Sequence, residues 1–483
     1  MLRAFIRDGA IYAIPSFLSR GLSLLLVPLY TRVLNPSDYG SLDLFMTFAG
    51  VVNLTIALEV SQGVARFYAS EPDPQRKVAY ASSALWFTTA VYTLFATAML
   101  ALPGLSTLIM GQSGLDAAFK VGIVYIWINS VYHLIQNQFR WELRSRDYAV
   151  TSILMTVVTA SVAVMLTVVL RWGLVGLLVG SVAGSAAATC MGLFRLRTSF
   201  RAVLSVRQLK QMLAFSTPLV VSGIAVWLNT YVDRLVIRHY LTIDDVGLYG
   251  VGYRIASIAG LVMVGFQGAL TPLVYAHFQK PDTPWQLARV FRCFLAVALT
   301  VFLTLTLFAH DILQIMTTPA YFGGAVVVIY LVPVAFLANM YIFSPGIGIA
   351  KKTHLLVWIN VGGGLLNLVL NLVLVPQMGI TGAGLSSLIA YTAVFSLITV
   401  MGQRLYHVPH RFGVLGAAVI TAAVLATCVP LLPLDGALRW LANAGAIFLF
   451  GSLAFTLGLV KTHEIRQALS MVRHRLGADR GAR

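Results

Sequence analysis

The stretch VLNPSDYGSLDLF, residues 33–45, lies between two long apolar runs and has the composition of a sharp turn. The same cadence returns in YLTIDDVGLYG, residues 240–250. Leu34 and Leu241, Asp38 and Asp245, and Gly40 and Gly247 each differ by 207 positions. Two readings account for the match. Either the chain holds two copies of one design, or two hairpins meet the same local demand, an Asp to cap the following helix and a Gly for the tight bend.

The surroundings of these hairpins decide the fold class. Of 483 residues, 58% are apolar and only 11% are charged, and the mean hydropathy is +0.83. Those values lie far from those of soluble domains. Apolar runs of about 20 residues recur along the chain, each long enough to cross roughly 30 Å of hydrocarbon as a helix. The short alternating strands of a membrane barrel are missing from the pattern. The sequence therefore predicts an all-α polytopic membrane protein. Its fourteen spans fall near 10–33, 41–66, 79–102, 118–140, 149–170, 174–196, 213–239, 247–274, 286–309, 322–349, 354–376, 379–403, 412–432 and 438–460. The connections between them are short and leave no room for a folded domain outside the membrane.

Basic residues set the expected direction of threading. With a cytoplasmic N-terminus, the inner segments hold 26 of the 34 Lys and Arg residues. Five (Arg32, Lys120, Arg171, Arg238, Arg439) lie at outer ends, and three (Arg20, Arg234, Arg254) lie within spans. Both termini are expected on the cytoplasmic side. The net charge of +17 is then mostly a topology signal and calls for no nucleic-acid partner. Arg201, Arg207 and Lys210 alternate with Val203, Leu204, Val206 and Leu209, which predicts an amphipathic segment on the inner membrane surface. The first apolar run continues to Val33 without a convincing cleavage site and reads as a retained span. Cys190, Cys293 and Cys428 are scattered through apolar spans and read as structural.

A second pair of hairpins tests the repeat. RWGLVGLLVGS (171–181) and QMGITGAGLSS (377–387) align Gly173 with Gly379, Gly176 with Gly382 and Ser181 with Ser387, each differing by 206. Arg146 and Lys352 keep the same offset. Two separated regions thus share nearly one shift, with six spans on each side. The expected domains are an N-terminal lobe (1–209), a second lobe (210–404), and two further spans with a basic tail (405–483). Parallel repeats of this kind are a transporter plan with the substrate site between repeats.

Three stretches carry a family resemblance. They are SRGLSLLLVPLYTRVLNPSDYG (19–40), NTYVDRLVIRHYLTIDDVGLYGVGYRIAS (229–257) and AKKTHLLVWINVGGGLLNLVLNLVLVPQMGITGAGLSSLIAY (350–391). Together with the span count, they resemble the polysaccharide and O-antigen flippases of the multidrug/oligosaccharidyl-lipid/polysaccharide exporter superfamily. The resemblance is a pattern over nearly the whole chain, without a short invariant motif. It implies two lobes in a V that open a central cavity to each side in turn. The implied cargo is an undecaprenyl-diphosphate-linked oligosaccharide destined for lipopolysaccharide, capsule or exopolysaccharide. The implied location is the bacterial inner membrane, with polysaccharide polymerase and glycosyltransferases as partners.

The charged residues can be weighed without that name. A charge within a span costs about 2.5–3.5 kcal/mol on insertion scales, so it faces protein or a watery cavity. Arg20 lies about 20 Å from the outer end of span 1 and Arg254 about 10 Å into span 8, counting helical rise. Guanidinium suits a diphosphate, so both are candidate cargo contacts; the alternative is an interhelical ion pair. Asp233, at a depth similar to that of Arg254, is a candidate partner for it, and Asp233 and Glu59 read as counter-charge or coupling groups. Arg66 and Arg234, nearer span ends, are expected to snorkel to the interface. Span 4 carries Asn129, His133, Gln136, Asn137 and Arg140 on one helical face. Asn129, His133 and Asn137 are candidate sugar contacts, with hydrogen bonding between helices as the alternative. Asn360, Asn367 and Asn371 in span 11 read as helix–helix contacts.

Enzymatic readings lack motifs. Neither G-x-x-x-x-G-K-[ST] nor H-E-x-x-H occurs, so no nucleotide, cofactor or metal is expected. A membrane polysaccharide polymerase or ligase would be expected to carry a large polar outer loop, and the longest outer connections, 103–117 and 310–321, hold few candidates. The nearer alternative is an organic-cation exporter of the same superfamily. Such a site calls for buried carboxylates, whereas Asp43, Glu59 and Asp233 here face Arg20, Arg234 and Arg254. That balance favours an anionic cargo.

Overall fold

The computed structural model describes Leu18, Gly21, Leu22 and residues 24–460. The expectations for Arg20, for the start of span 1 and for the basic tail lie outside those residues. Residues 24–30, in the second half of the expected span 1, are helical. Among the described residues, twelve helices are long and apolar enough to cross a membrane, or thirteen if one bent pair counts as a span. The twelve correspond one for one to spans 3–14, and the bent pair to span 2. The chain is an all-helical, multi-pass membrane protein.

Caps and turns explain where the helices begin. Span 2 starts at Pro36, whose fixed φ and missing N–H suit a first helical turn. Asn35 caps it: the Asp38 N–H donates to Asn35 Oδ1 at 2.8 Å, and the Asn35 N–H donates back to Asp38 at 3.4 Å. Span 8 starts at Ile243 in the same way, with Thr242 and Asp245 exchanging hydrogen bonds of 3.0 and 3.2 Å. Asn35 and Thr242 are again 207 apart, as are Asp38 and Asp245. The two aspartates are therefore the far members of two capping boxes.

Span 2 departs from a single straight helix. It is a pair, Pro36–Thr55 and Val60–Tyr68, bent by 45°. Leu58 and Glu59 adopt left-handed φ values of 50° and 52°, which interrupt the helical ladder. Ser216 of span 7 donates to the Leu58 carbonyl at 2.7 Å, satisfying one group at the interruption. Span 10 departs as well. It runs as a 3-10 segment Pro319–Val327 followed by the helix Val328–Leu337, and Pro333 sits inside that helix. Span 7 is longer than expected, Val206–Tyr240.

The described residues divide into two compact units. The first draws on Met1–Ile255, Ile312–Val327 and Val357–Val394. Its core includes Phe45, Tyr92, Tyr132, Phe139 and Tyr249. Spans 5 and 6 form a close hairpin in it. A Cβ added at Gly180 would lie 2.6 Å from Ala163, the small-residue contact that lets membrane helices approach. The second unit draws on Ala256–Asp311, Val328–Leu356 and Phe395–Arg483. There Phe294 packs with Phe336 and Phe343 at ring separations of 5.9 and 4.8 Å. Asn443 of span 14 donates to the Leu307 carbonyl at 2.9 Å, and Arg439 pairs with Asp311.

Candidate functional site

The first unit contains a buried charge cluster built from spans 2, 7, 8 and 12. At its centre is Arg234, only 2% exposed. Its Nε donates to Asp43 Oδ2 of span 2 at 2.9 Å, and Nη1 donates to the Thr230 carbonyl at 2.9 Å. The same Nη1 lies 3.6 Å from Asp233 Oδ2. Tyr253, Tyr249 and Tyr231 surround the guanidinium, with ring centroids 4.4, 5.3 and 5.4 Å away. Planar, weakly hydrated guanidinium suits such an aromatic cage better than an ammonium would.

Asp233 is 3% exposed and has its own donors. The Tyr249 hydroxyl donates to it, and Ser387 Oγ of span 12 lies 3.4 Å from the same oxygen. The expectation that Arg234 snorkels to the interface is thus corrected: two carboxylates and three aromatic rings hold it inside the unit. The pairing of Asp233 with Arg254 is corrected in the same way, because Arg234 and Tyr249 are its neighbours. The signal in the sequence was Tyr249 and Tyr253, four residues apart and so on one face of span 8.

Arg254 follows Tyr253 but takes part in a different structure. Its guanidinium stacks over the Tyr39 ring at 4.9 Å. Together they line a cavity of about 250 Å³, whose wall includes Tyr30, Met46, Thr159 and Ser181. Among the described residues, a guanidinium, phenolic groups and hydroxyls set in an apolar wall form a site suited to an anionic group attached to something apolar. Tyr39 is held edge-on against Tyr321, whose hydroxyl donates to the Leu34 carbonyl at 2.8 Å.

Asn129, His133 and Asn137 are not brought to this cavity. Asn129 is buried, with no hydrogen-bond partner for its Oδ1 among the described residues; Asn137 is half-buried and His133 is exposed. Other members of that stripe bind span 5: Gln136 donates to Ser152 at 2.6 Å and Arg140 to the Tyr148 hydroxyl at 2.7 Å. Glu59 sits half-buried at the bend of span 2. Two of the three span 11 asparagine positions meet span 7, and the third bonds within its own helix. Asn229 donates to the Asn360 carbonyl at 3.0 Å, Asn367 donates to the Asn229 carbonyl at 3.3 Å, and Asn371 donates to Asn367. Among the described residues, no group of three or more His, Cys, Asp or Glu is arranged to hold a metal ion.

The two repeated glycines meet beside this site. A Cβ at Gly40 would lie 2.1 Å from the Ile243 carbonyl oxygen, and one at Gly247 would lie 2.0 Å from the Pro36 carbonyl oxygen. Pro36 and Ile243 are themselves 207 apart, so the contact is reciprocal under the same shift. Reciprocal contacts of this kind are the mark of a two-fold relation. Only glycine permits the two helix starts to cross so closely.

Comparisons with known proteins agree with this architecture. The probable low-salt glycan biosynthesis flippase Agl15 of Haloferax volcanii is 22% identical over 385 residues, 78% of this chain and 79% of that protein. The succinoglycan biosynthesis transport protein ExoT of Rhizobium meliloti is 25% identical over 266 residues, 52% of this chain and 50% of that one. Among solved structures, the lipid II flippase MurJ in its inward closed conformation matches with a TM-score of 0.69 at 14% identity, covering 92% of this chain and 98% of its own. An inward-facing multidrug resistance MATE family transporter of the MOP superfamily matches with a TM-score of 0.64 at 15% identity, covering 85% and 99%. The profile of the polysaccharide biosynthesis protein family matches residues 29–322. The chain belongs to that family and is built on the fold of the multidrug/oligosaccharidyl-lipid/polysaccharide exporters.

Proposed function

We propose that the protein is a flippase for lipid-linked oligosaccharides, moving a polyprenyl-diphosphate-linked repeat unit from the inner to the outer leaflet by alternating access. The observation that carries the reading is Arg254, a guanidinium within a membrane span that borders an otherwise largely apolar cavity. Family membership and the flippase and transport-protein relatives support the class of cargo. In this reading Arg254, with Arg20, receives the diphosphate, and Asn129, His133 and Asn137 are available to sugar hydroxyls along the path. Asp233 serves as counter-charge, and Glu59 marks the bend of span 2. The working lobes are 1–209 and 210–404, with 405–483 appended. The protein acts as a transporter and not as an enzyme, in a bacterial inner membrane with both termini cytoplasmic, beside a polymerase and glycosyltransferases.

The chain's residues also suggest what drives the step. Carrying two negative charges outward through the full field of a negative interior gains about 4.6 kcal/mol per 100 mV. A cavity arginine that moves little through the field leaves that gain with the cargo. The caged Arg234 is held by its carboxylates, whereas Arg254 stands at the cavity wall.

The test uses proteoliposomes with lipid-linked oligosaccharide in the inner leaflet and an external sugar-binding probe. Protein-dependent exposure of the sugar is expected. Uptake of organic cations under a Na⁺ or H⁺ gradient, without sugar exposure, would instead assign the chain to drug export.

A further inference from the structure

The connection between spans 6 and 7 covers a second cavity. Residues 200–205 lie between the helices of spans 6 and 7 and run as a strap along span 3. The Arg201 N–H donates to Ser82 Oγ at 2.9 Å and the Ser205 N–H to Ser83 Oγ at 2.8 Å. Trp86 donates its indole N–H to the Arg201 carbonyl at 3.0 Å. Side chains of span 3 thus take up the backbone groups that the strap would otherwise expose. Under it lies a cavity of about 480 Å³ whose wall includes Trp86, Thr89, Trp127, Leu193, Phe200 and Arg201. That volume is within the range of small-molecule sites.

We propose that this cavity binds an anionic phospholipid, with an acyl chain between Trp86 and Trp127 and the phosphate on Arg201. The geometry runs in the right direction for a lipid. Ser82 and Ser83 stand about 12–14 Å from the start of span 3 by helical rise, near the basic end where Arg76 and Lys77 lie. Trp127 sits 13 residues before Arg140, roughly 20 Å farther along span 4. The arginine therefore stands toward the basic surface and the tryptophan toward the middle of the bilayer. Val203 and Leu204 of the strap are exposed, as is Val206 at the start of span 7, which suits a segment lying in the interface. Arg197, Arg207 and Lys210 add positive charge on both sides of Arg201, the complement of an anionic headgroup and not of a zwitterionic one. Planar donors from Arg201 suit phosphate oxygens. Nothing in this site overlaps Arg254 or its cavity, so the inference is independent of the cargo.

Brominated acyl chains quench tryptophan on contact and supply the test. The full chain is placed in nanodiscs of phosphatidylcholine containing a fixed fraction of brominated phosphatidylglycerol or brominated phosphatidylcholine. The signal from Trp86 and Trp127 is isolated by difference against Trp86→Phe and Trp127→Phe. Quenching of that signal is expected to favour phosphatidylglycerol by about fivefold, the effect of one basic contact with an anionic lipid. The preference should vanish in Arg201→Gln and persist in Arg201→Lys; both leave the backbone bonds of the strap in place. Equal quenching by the two headgroups would overturn the proposal, as would a preference that survives Arg201→Gln. Farnesyl diphosphate relieving the quenching while phosphatidylglycerol shows no advantage would give the cavity to the cargo's own chain and also overturn it.

Discussion

The hairpin opening span 2 and the hairpin opening span 8 share their turn chemistry and differ in the side chains around it. Their capping boxes, their glycines and their mutual crossing obey a single shift of 207 residues. Their chemistry does not. Leu26 and Val27 stand where the later copy has Asp233 and Arg234, and Leu42 and Met46 where it has Tyr249 and Tyr253. Asp43 faces its own counterpart, Gly250, whose missing side chain leaves room: a Cβ there would lie 3.3 Å from the carboxylate. Thr47 corresponds to Arg254. The first copy supplies one acid and the second supplies the base that needs it. The paired glycines set where the helices cross, and the unlike residues around the crossing supply the polar groups.

The largest break in that comparison comes from Arg234→Ala. It leaves Asp43 and Asp233 facing each other without a cation, and removing one partner of a buried pair costs about 3–5 kcal/mol. Melting in detergent and abundance in the membrane should both fall sharply. Adding Asp43→Asn should recover part of the loss, because one of the stranded charges is removed; no recovery would show that the two residues are not coupled.

Next in size are Gly40→Val and Gly247→Val. Each drives a side chain into a backbone carbonyl, and overpacking of this kind costs about 1–3 kcal/mol. The reciprocity of the contact predicts similar losses of thermal stability at the two sites. A large loss at one and none at the other would break the two-fold relation. A smaller pair sharpens the same point at the hairpins after spans 5 and 11. Gly173 and Gly379 have φ of 55° and 63°, and Ala in that region costs about 1–2 kcal/mol. Both Ala variants should lower the melting temperature modestly and alike. Removing the caps, Asn35→Ala and Thr242→Ala, should cost about 1 kcal/mol each by the same assay.

Much of this was legible in residue order. Hydropathy places spans 2–14, because a lipid-crossing helix leaves a run of apolar residues that no tertiary contact can hide. The hairpin aspartates and glycines were readable as turn chemistry, since capping acts within four residues. Asn367 of span 11 reads correctly as a helix–helix contact, while Asn371 bonds Asn367 within its own helix. What could not be read depended on contacts between distant residues. Distance from a helix end suggested that Arg234 reaches water, but Asp43, 191 positions earlier in the chain, holds it inside. The bend at Leu58 and Glu59 carries no Pro or Gly to announce it, and one partner of its broken ladder is Ser216. Arg254 was visible as a charge in a span; the stacking on Tyr39 that sets it in a cavity wall was not.

The most direct test of the account is voltage-dependent flipping by the wild type and by Arg254→Ala in the same proteoliposomes. Sugar exposure should rise as the interior is made more negative, and Arg254→Ala should lose most of that transport while its membrane abundance and melting temperature stay near wild type. Normal transport by Arg254→Ala, at every potential and at equal abundance, would contradict the assignment of the diphosphate to this arginine.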